Sequence, residues 1–311
     1  MKNPFTFVPK ILLGTILLAA NAPAAINTWN NSSADGNWDT AANWSDGVPS
    51  SSDQAIIDNG DLVTKTGDLT LGNLRDSNED GLRLTNGTLN VSGNYTSYTS
   101  WGGSGAIIND LGLSSGATTG TLNIGGTFNL GNTDSSSGNV ATFNIYSGSS
   151  LSANAFQGKQ GAGGNAGSGG WAFNISGGSL NIIDTFDFST LTTPDSSNPA
   201  GQLILGTTGT ASGGTVTVGT MSDDWARDGQ YVLFNDNLAS LTFGKTNYSD
   251  LANVQTLIDN NYIRKDASVT DGFNIADNGS TWTVSIIPEP STFILMLGGL
   301  LAMAVPLRRR K

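Results

Sequence analysis

The 311-residue sequence contains no cysteine and no histidine. Without cysteine there can be no disulfide, thiolate metal site or thiol nucleophile. Without histidine, the commonest general base and the commonest transition-metal ligand are gone. Ser-His-Asp and Cys-His catalysis are thereby excluded, as are the zinc-hydrolase patterns. Charge is also scarce: only 13% of residues are charged, with 14 Lys and Arg against 25 Asp and Glu. Six of the cations (Lys2, Lys10, Arg308, Arg309, Arg310 and Lys311) sit at the two ends, so the stated net charge of −11 becomes about −17 for the body between them. An acidic surface argues against nucleic acid and anionic glycans as partners, because phosphates and carboxylates must be met by cations. It suits a solvated extracellular protein.

The ends carry the long apolar runs. Lys2 and Lys10 precede Ile11–Ala20, and Ala22-Pro23-Ala24 supplies a small-residue exit. A positive start, a short apolar run and an A-x-A site form a secretory signal pattern, with Ala25 as the new terminus. This predicts a leader over 1–24, removed by signal peptidase. At the other end Pro288-Glu289-Pro290 leads into the apolar run 293–307 and the basic end Arg308-Arg309-Arg310-Lys311. That run is short for a membrane span, and the four cations would hold their end in the cytoplasm.

Those three parts, in that order, resemble the PEP-CTERM sorting signal, over residues 288–311; Pro306 within the apolar run is a small departure. The resemblance implies a transmembrane sorting helix, transient residence in the inner membrane and processing near Pro288-Glu289-Pro290 by an exosortase. It also implies a host that makes exopolysaccharide, and final placement at the cell surface or in the extracellular matrix. A plain C-terminal anchor shares the topology and differs only in leaving the tail uncut.

The body has abundant Gly, 41 in the whole chain, and short alternating segments. Leu89-Asn90-Val91, Leu122-Asn123-Ile124, Phe128-Asn129-Leu130, Phe143-Asn144-Ile145, Phe173-Asn174-Ile175 and Leu180-Asn181-Ile182 each read apolar, polar, apolar. That is the period of a strand with one buried face. Asn90 and Asn123 are 33 residues apart, Asn123 and Asn144 21, and Asn144 and Asn174 30. Repeats of such length signal stacked units that bury their apolar faces on one another. The spacing predicts an all-β right-handed parallel β-helix, a solenoid with N- and C-terminal caps and with Gly and Asn at the corners, where both tolerate the left-handed backbone region. The Gly/Ala/Asn/Ser stretch Gly158–Gly170 reads as a loop. A β-sandwich is the alternative fold.

The predicted division is a β-helical body over 25–229, a C-terminal cap over 230–287 and the tail over 288–311. Trp29, Trp38 and Trp44, with Gly47 and Pro49 behind them, resemble the N-terminal cap of bacterial β-helical surface proteins, including autotransporter-like adhesins. Three Trp rings would cover an open solenoid end; left exposed, they would instead stack on sugar rings. In the C-terminal cap, Tyr231–Phe234, Leu241–Phe243 and Thr281–Ile286 read as strands, and 248–261 as a helix.

Two groups of ionisable residues stand out. Asp76-Ser77-Asn78-Glu79-Asp80-Gly81 matches the first half of a calcium loop, with Asp76, Asn78 and Asp80 as ligands, but Gly87 stands where a bidentate Glu belongs. The other reading is a polar turn, and no other cofactor is suggested. Asp223, Asp224 and Arg227 are acids beside a cation, as in β-helical polysaccharide lyases and hydrolases; adjacent acids on a strand point to opposite faces, and a turn is the simpler reading. The function expected is therefore a structural or adhesive surface protein associated with exopolysaccharide or another surface glycan. A His-free lyase or hydrolase and a carbohydrate-binding module are the alternatives. An enzyme would show acids converging on a cation in a groove; a structural protein would show Asn and Thr ladders.

Overall fold

Short alternating segments punctuated by Gly and Asn leave backbone groups that only neighbouring strands can satisfy. In a computed structural model of the chain those neighbours pair in parallel through most of the body. Residues 24–77, 81–99, 107–132, 140–159, 170–188, 201–207, 212–222 and 230–287 are described. The expected leader over 1–24 (apart from Ala24), the expected sorting tail over 288–311 and the Asp223-Asp224-Arg227 group lie outside them. Among the described residues no helix is long and apolar enough to cross a membrane.

Two sheets, of 13 and eight strands, contain every strand of the described residues. The larger sheet has two faces, because its longer strands pair on both sides of a register slip. Gly120–Asn132 pairs with Gly87–Val91 before the slip and with Tyr95–Thr99 after it. Similar slips fall within Ser150–Lys159 and Ser179–Asp187. The first face runs from Leu69–Leu71 through the first halves of these long strands to Ala239–Gly244. The second face runs from Gln54–Ile57 through Asn73–Ser77, Tyr95–Thr99 and the later halves. The smaller sheet, from Leu62–Thr66 to Ile263–Lys265, is the third face.

The chain visits the three faces in turn, an all-β order with parallel sheets that is compatible with a β-helix or solenoid. It is not the antiparallel pairing on which sandwiches are built. Asn90 stands in register with Asn123, and Asn144 with Asn174, as their spacings predict. The 21-residue interval does not mark a repeat: Asn123 is on the first face and Asn144 on the third.

The turn from third face to first needs a left-handed residue nearly every time. Asn86 holds φ 54° there and Gly177 φ 75°, conformations open mainly to Asn and Gly. Gly158 lies not in a loop but at the buried end of its strand. A Cβ on it would fall 2.0 Å from Nε1 of Trp171, and one on Gly201 would fall 2.6 Å from that ring's Cζ2. Trp171 thus occupies the interior because both positions beside it lack side chains.

Inside, Tyr95, Phe128, Phe156 and Phe186 stand in register on the second face. Phe143 and Phe173 face them from the third. Ring centroids 4.4 to 6.4 Å apart make this one aromatic cluster, fully buried.

At the N-terminal end, Trp38 and Trp44 meet edge to face at 4.6 Å, and Trp29 meets Trp44 at 5.0 Å. Nε1 of Trp44 donates to the Trp38 carbonyl at 2.8 Å, and the Trp38 N–H donates to the Thr64 carbonyl at 3.0 Å. The parallel stack continues past residue 230, since Gln230–Phe234, Ala239–Gly244 and Ile263–Lys265 all pair parallel with earlier strands. It ends instead on an antiparallel pair, Phe273–Asp277 and Thr281–Ile286. The predicted helix is Leu251–Asp259, with Asp250 accepting from the Asn253 N–H at its start and with Val254 and Leu257 buried.

Candidate functional site: a charge-free outer face

Strand alternation that sends Leu or Val inward must send the flanking residues outward. On the first face the flanking residues are of one kind from Thr88 onward; the rung before it, Asp68-Leu69-Thr70, opens with an exposed carboxylate that accepts from the Thr88 N–H at 2.8 Å. The tripeptides are Thr88-Leu89-Asn90, Thr121-Leu122-Asn123, Ser150-Leu151-Ser152, Ser179-Leu180-Asn181, Thr215-Val216-Thr217, Ser240-Leu241-Thr242 and Thr283-Val284-Ser285. They stack in register, the last one antiparallel, so that its Ser285 meets Ser240 and its Thr283 meets Thr242. The result is two straight rows of hydroxyl and carboxamide groups, exposed or half-buried, with no charged or aromatic residue in either.

The rows are tied internally. Asn123 Nδ2 donates to Asn90 Oδ1 at 2.9 Å, and Thr242 and Thr283 share a hydrogen bond of 2.8 Å. Asn181 donates to Ser152, and Ser150 to Thr121, each at 3.4 Å.

The third face differs. Arg83 donates through Nε and Nη2 to Oδ2 of Asp110, at 3.1 and 2.8 Å. Asn144 donates to the other oxygen of that carboxylate at 2.9 Å, and Asn174 donates to Asn144 at 2.9 Å. The remaining cations with described side chains are also engaged. Lys65 meets Asp39 at 3.1 Å, Arg75 meets Asp58 at 3.4 Å, and Lys245 pairs with Asp277. Arg264 lies 3.4 Å over the Tyr231 ring, and Lys265 donates to the carbonyls of Thr270 and Asp271. Among the described residues no three His, Cys, Asp or Glu side chains gather to hold a metal.

The sequence-predicted sites are placed as follows. Trp29, Trp38 and Trp44 are buried to 3% exposure or less, so their ring faces are closed to sugars. This corrects the carbohydrate-contact reading of these three residues; they pack as the lid. Asp76, expected to open a calcium loop, is fully buried and points inward beside Leu74, two residues before it. Ser97, Asn109 and Tyr95 surround its carboxylate, but none meets either oxygen in full hydrogen-bond geometry. Burial pushes its pKa up to about 7, against the opposing pull of the nearby Ser97, Asn109 and Tyr95 side chains. An outward calcium ligand at Asp76 is therefore excluded by the direction of its strand; Asn78 and Asp80 lie outside the described residues. Ala25 is tied into the body, its N–H donating to Asp53 Oδ1 at 3.1 Å and its carbonyl accepting from the Gln54 N–H at 2.9 Å.

The paired rows are the feature that sequence reasoning missed. The signal was present at all seven rungs, a Ser or Thr, then Leu or Val, then Asn, Ser or Thr, although Thr190-Leu191-Thr192 and Ser268-Val269-Thr270 carry the same pattern. It was obscured by grouping Leu-Asn and Phe-Asn segments that fold onto different faces.

Compared with protein-family models, curated proteins and solved structures, the chain matches none.

Proposed function

We propose that this chain is an exported structural protein of the cell surface or extracellular matrix, associated with exopolysaccharide. In this reading its PEP-CTERM-like tail is handled by an exosortase, and its body is a right-handed parallel β-helix acting as a stiff spacer and contact surface. The observation that carries the reading is the pair of Ser/Thr/Asn rows stacked in register along the first face and tied by hydrogen bonds at four of their junctions. Ladders that hydrogen-bond to themselves stiffen a scaffold, whereas catalysis needs unlike groups held at one point. The engaged state of the described cations points the same way, since a lyase or hydrolase of this class would aim a cation at its substrate.

The test is sorting. With Pro288, Glu289 and Pro290 replaced by alanine, insertion should survive, because it depends on apolar length and positive flanks. The full-length form should then accumulate in the inner membrane with its body outside. Removing Arg308, Arg309, Arg310 and Lys311 should instead let uncut protein escape. Wild type and the alanine variant found equal in size and location would defeat the sorting reading.

A further inference from the structure

We infer that the first face binds a neutral, hydroxyl-rich polysaccharide chain lengthwise along its two Ser/Thr/Asn rows. This deepens the proposed function by assigning the glycan contact to one surface and the glycan to one charge class.

The chemistry of the rows sets that class. Seven tripeptides present fourteen outward groups, each a hydroxyl or a carboxamide. Hydroxyls and carboxamides both donate and accept hydrogen bonds, as sugar hydroxyls do. An anionic chain laid here would meet no cation and would lie against a body of about −17. A cationic chain would find a single carboxylate, Asp68, at the end of the seven rungs and many elsewhere. Only a neutral ligand loses nothing by choosing this face.

The shape sets the size. Strands lie about 4.8 Å apart and alternate residues about 6.7 Å apart along a strand, so the strip is roughly 29 Å long and one residue pair wide. Small-molecule sites are concave; a long, narrow strip repeating one chemistry suits a polymer. A protein partner fits poorly, because interface cores are rich in aromatic residues and depleted in Ser. With no aromatic ring to stack on a sugar, each contact is one hydrogen bond of small net worth. Affinity must therefore build by repetition along the chain.

The experiment uses the full chain in mild detergent, run through gels containing unbranched neutral glucan, mannan or galactan, or a polyuronate. At least one neutral polymer should retard it, with little change on adding salt, and fragments of a few sugars should compete poorly. Asn181→Glu with Thr215→Glu should weaken retardation roughly tenfold or more, as expected for desolvating an unpaired charge. Thr96→Glu, on the second face beside Arg75, should change nothing. If the double variant fails to fold by circular dichroism, Thr215→Val with Thr217→Val removes hydroxyls at nearly constant shape and should also weaken retardation. Four results overturn the inference: no neutral polymer bound, preference for the polyuronate, short fragments binding as tightly as polymer, or retardation unaltered in folded face variants. A concentration-dependent dimer abolished by the face variants would overturn it too, making the face a self-interface. Failure here leaves surface fractionation of the wild type intact, whereas failure of sorting leaves gel retardation intact, so the two proposals fall separately.

Discussion

Two neighbouring levels of the same interior differ sharply. Along the second face the inward row reads Asp76, Ser97, Leu130, and along the third it reads Leu82, Asn109, Phe143. Within one turn of the chain both rows pass from polar to apolar. The apolar level is a packed cluster of rings; the polar level holds a buried carboxyl, set among Ser97, Asn109 and Tyr95 but poorly satisfied by them. Asn109 is better served, accepting from the Leu82 N–H at 2.6 Å and donating to Ser97 Oγ at 2.9 Å. The parallel backbone pairing is of the same kind at both levels. Side chains alone therefore make one level a source of stability and the other a cost.

The strongest way to break that comparison is to empty the apolar level. Phe156 touches Phe128, Trp171, Phe173 and Phe186, with centroids between 4.4 and 5.9 Å. Phe156→Ala should cost about 3–5 kcal/mol in denaturant unfolding. Equal losses for Phe156→Ala and Ser97→Ala would erase the distinction between levels.

The polar level should declare itself through pH. The folded pKa of Asp76, about 7, lies above the ordinary aspartate value of 3.8. The native state then binds the proton more tightly than the unfolded chain. Its contribution is complete below about pH 4 and is lost as pH rises through about 7, by up to roughly 4 kcal/mol. Carboxyls lowered by hydrogen bonds act oppositely and lower on the scale. Asp35, held at about 2 chiefly by the Asn37 N–H and by Thr40 and Asn43, is one of them. Unfolding curves from pH 4 to 8 should show Asp76→Asn gaining on wild type as pH rises. Parallel profiles would mean that Asp76 does not titrate in this window.

A smaller effect is expected from overfilling the apolar level. Gly201→Ala pushes a methyl against the Trp171 ring, which should cost about 1–3 kcal/mol. A lower melting temperature with an altered Trp fluorescence spectrum would register it. The outer ladder should matter least: Asn123→Ala removes its half-exposed bond to Asn90, for about 0.5–1 kcal/mol. A larger loss there would move the source of stability from the interior to the outer rows.

Much of the strand content was legible residue by residue. Leu122-Asn123-Ile124 and Phe173-Asn174-Ile175 alternate as half-buried strands must, and both are strands with the apolar residues inside. The helix expected over 248–261 forms over Leu251–Asp259, burying Val254 and Leu257 and leaving Leu251 53% exposed. Asp76 was legible and misread. Leu74 points inward, so period-two alternation sends Asp76 inward as well, but the following Asn, Asp and Gly drew attention to a loop pattern. The three Trp residues could not be placed from sequence, because a ring that covers an open end and a ring that stacks on sugar have the same local signature.

The sequence by itself determined which side chains of each strand face inward and where the chain must turn, because alternation and the left-handed preference of Gly and Asn act over two or three residues. Only the tertiary structure decided which strands stack on which. Coil length varies, from 19 residues between the paired Gln54 and Asn73 to 36 between Leu180 and Val216. No fixed period therefore reveals that seven tripeptides share one face. That register comes from backbone hydrogen bonds and interior packing between segments far apart in the chain, and it alone gathers scattered Ser, Thr and Asn residues into seven successive uncharged rungs.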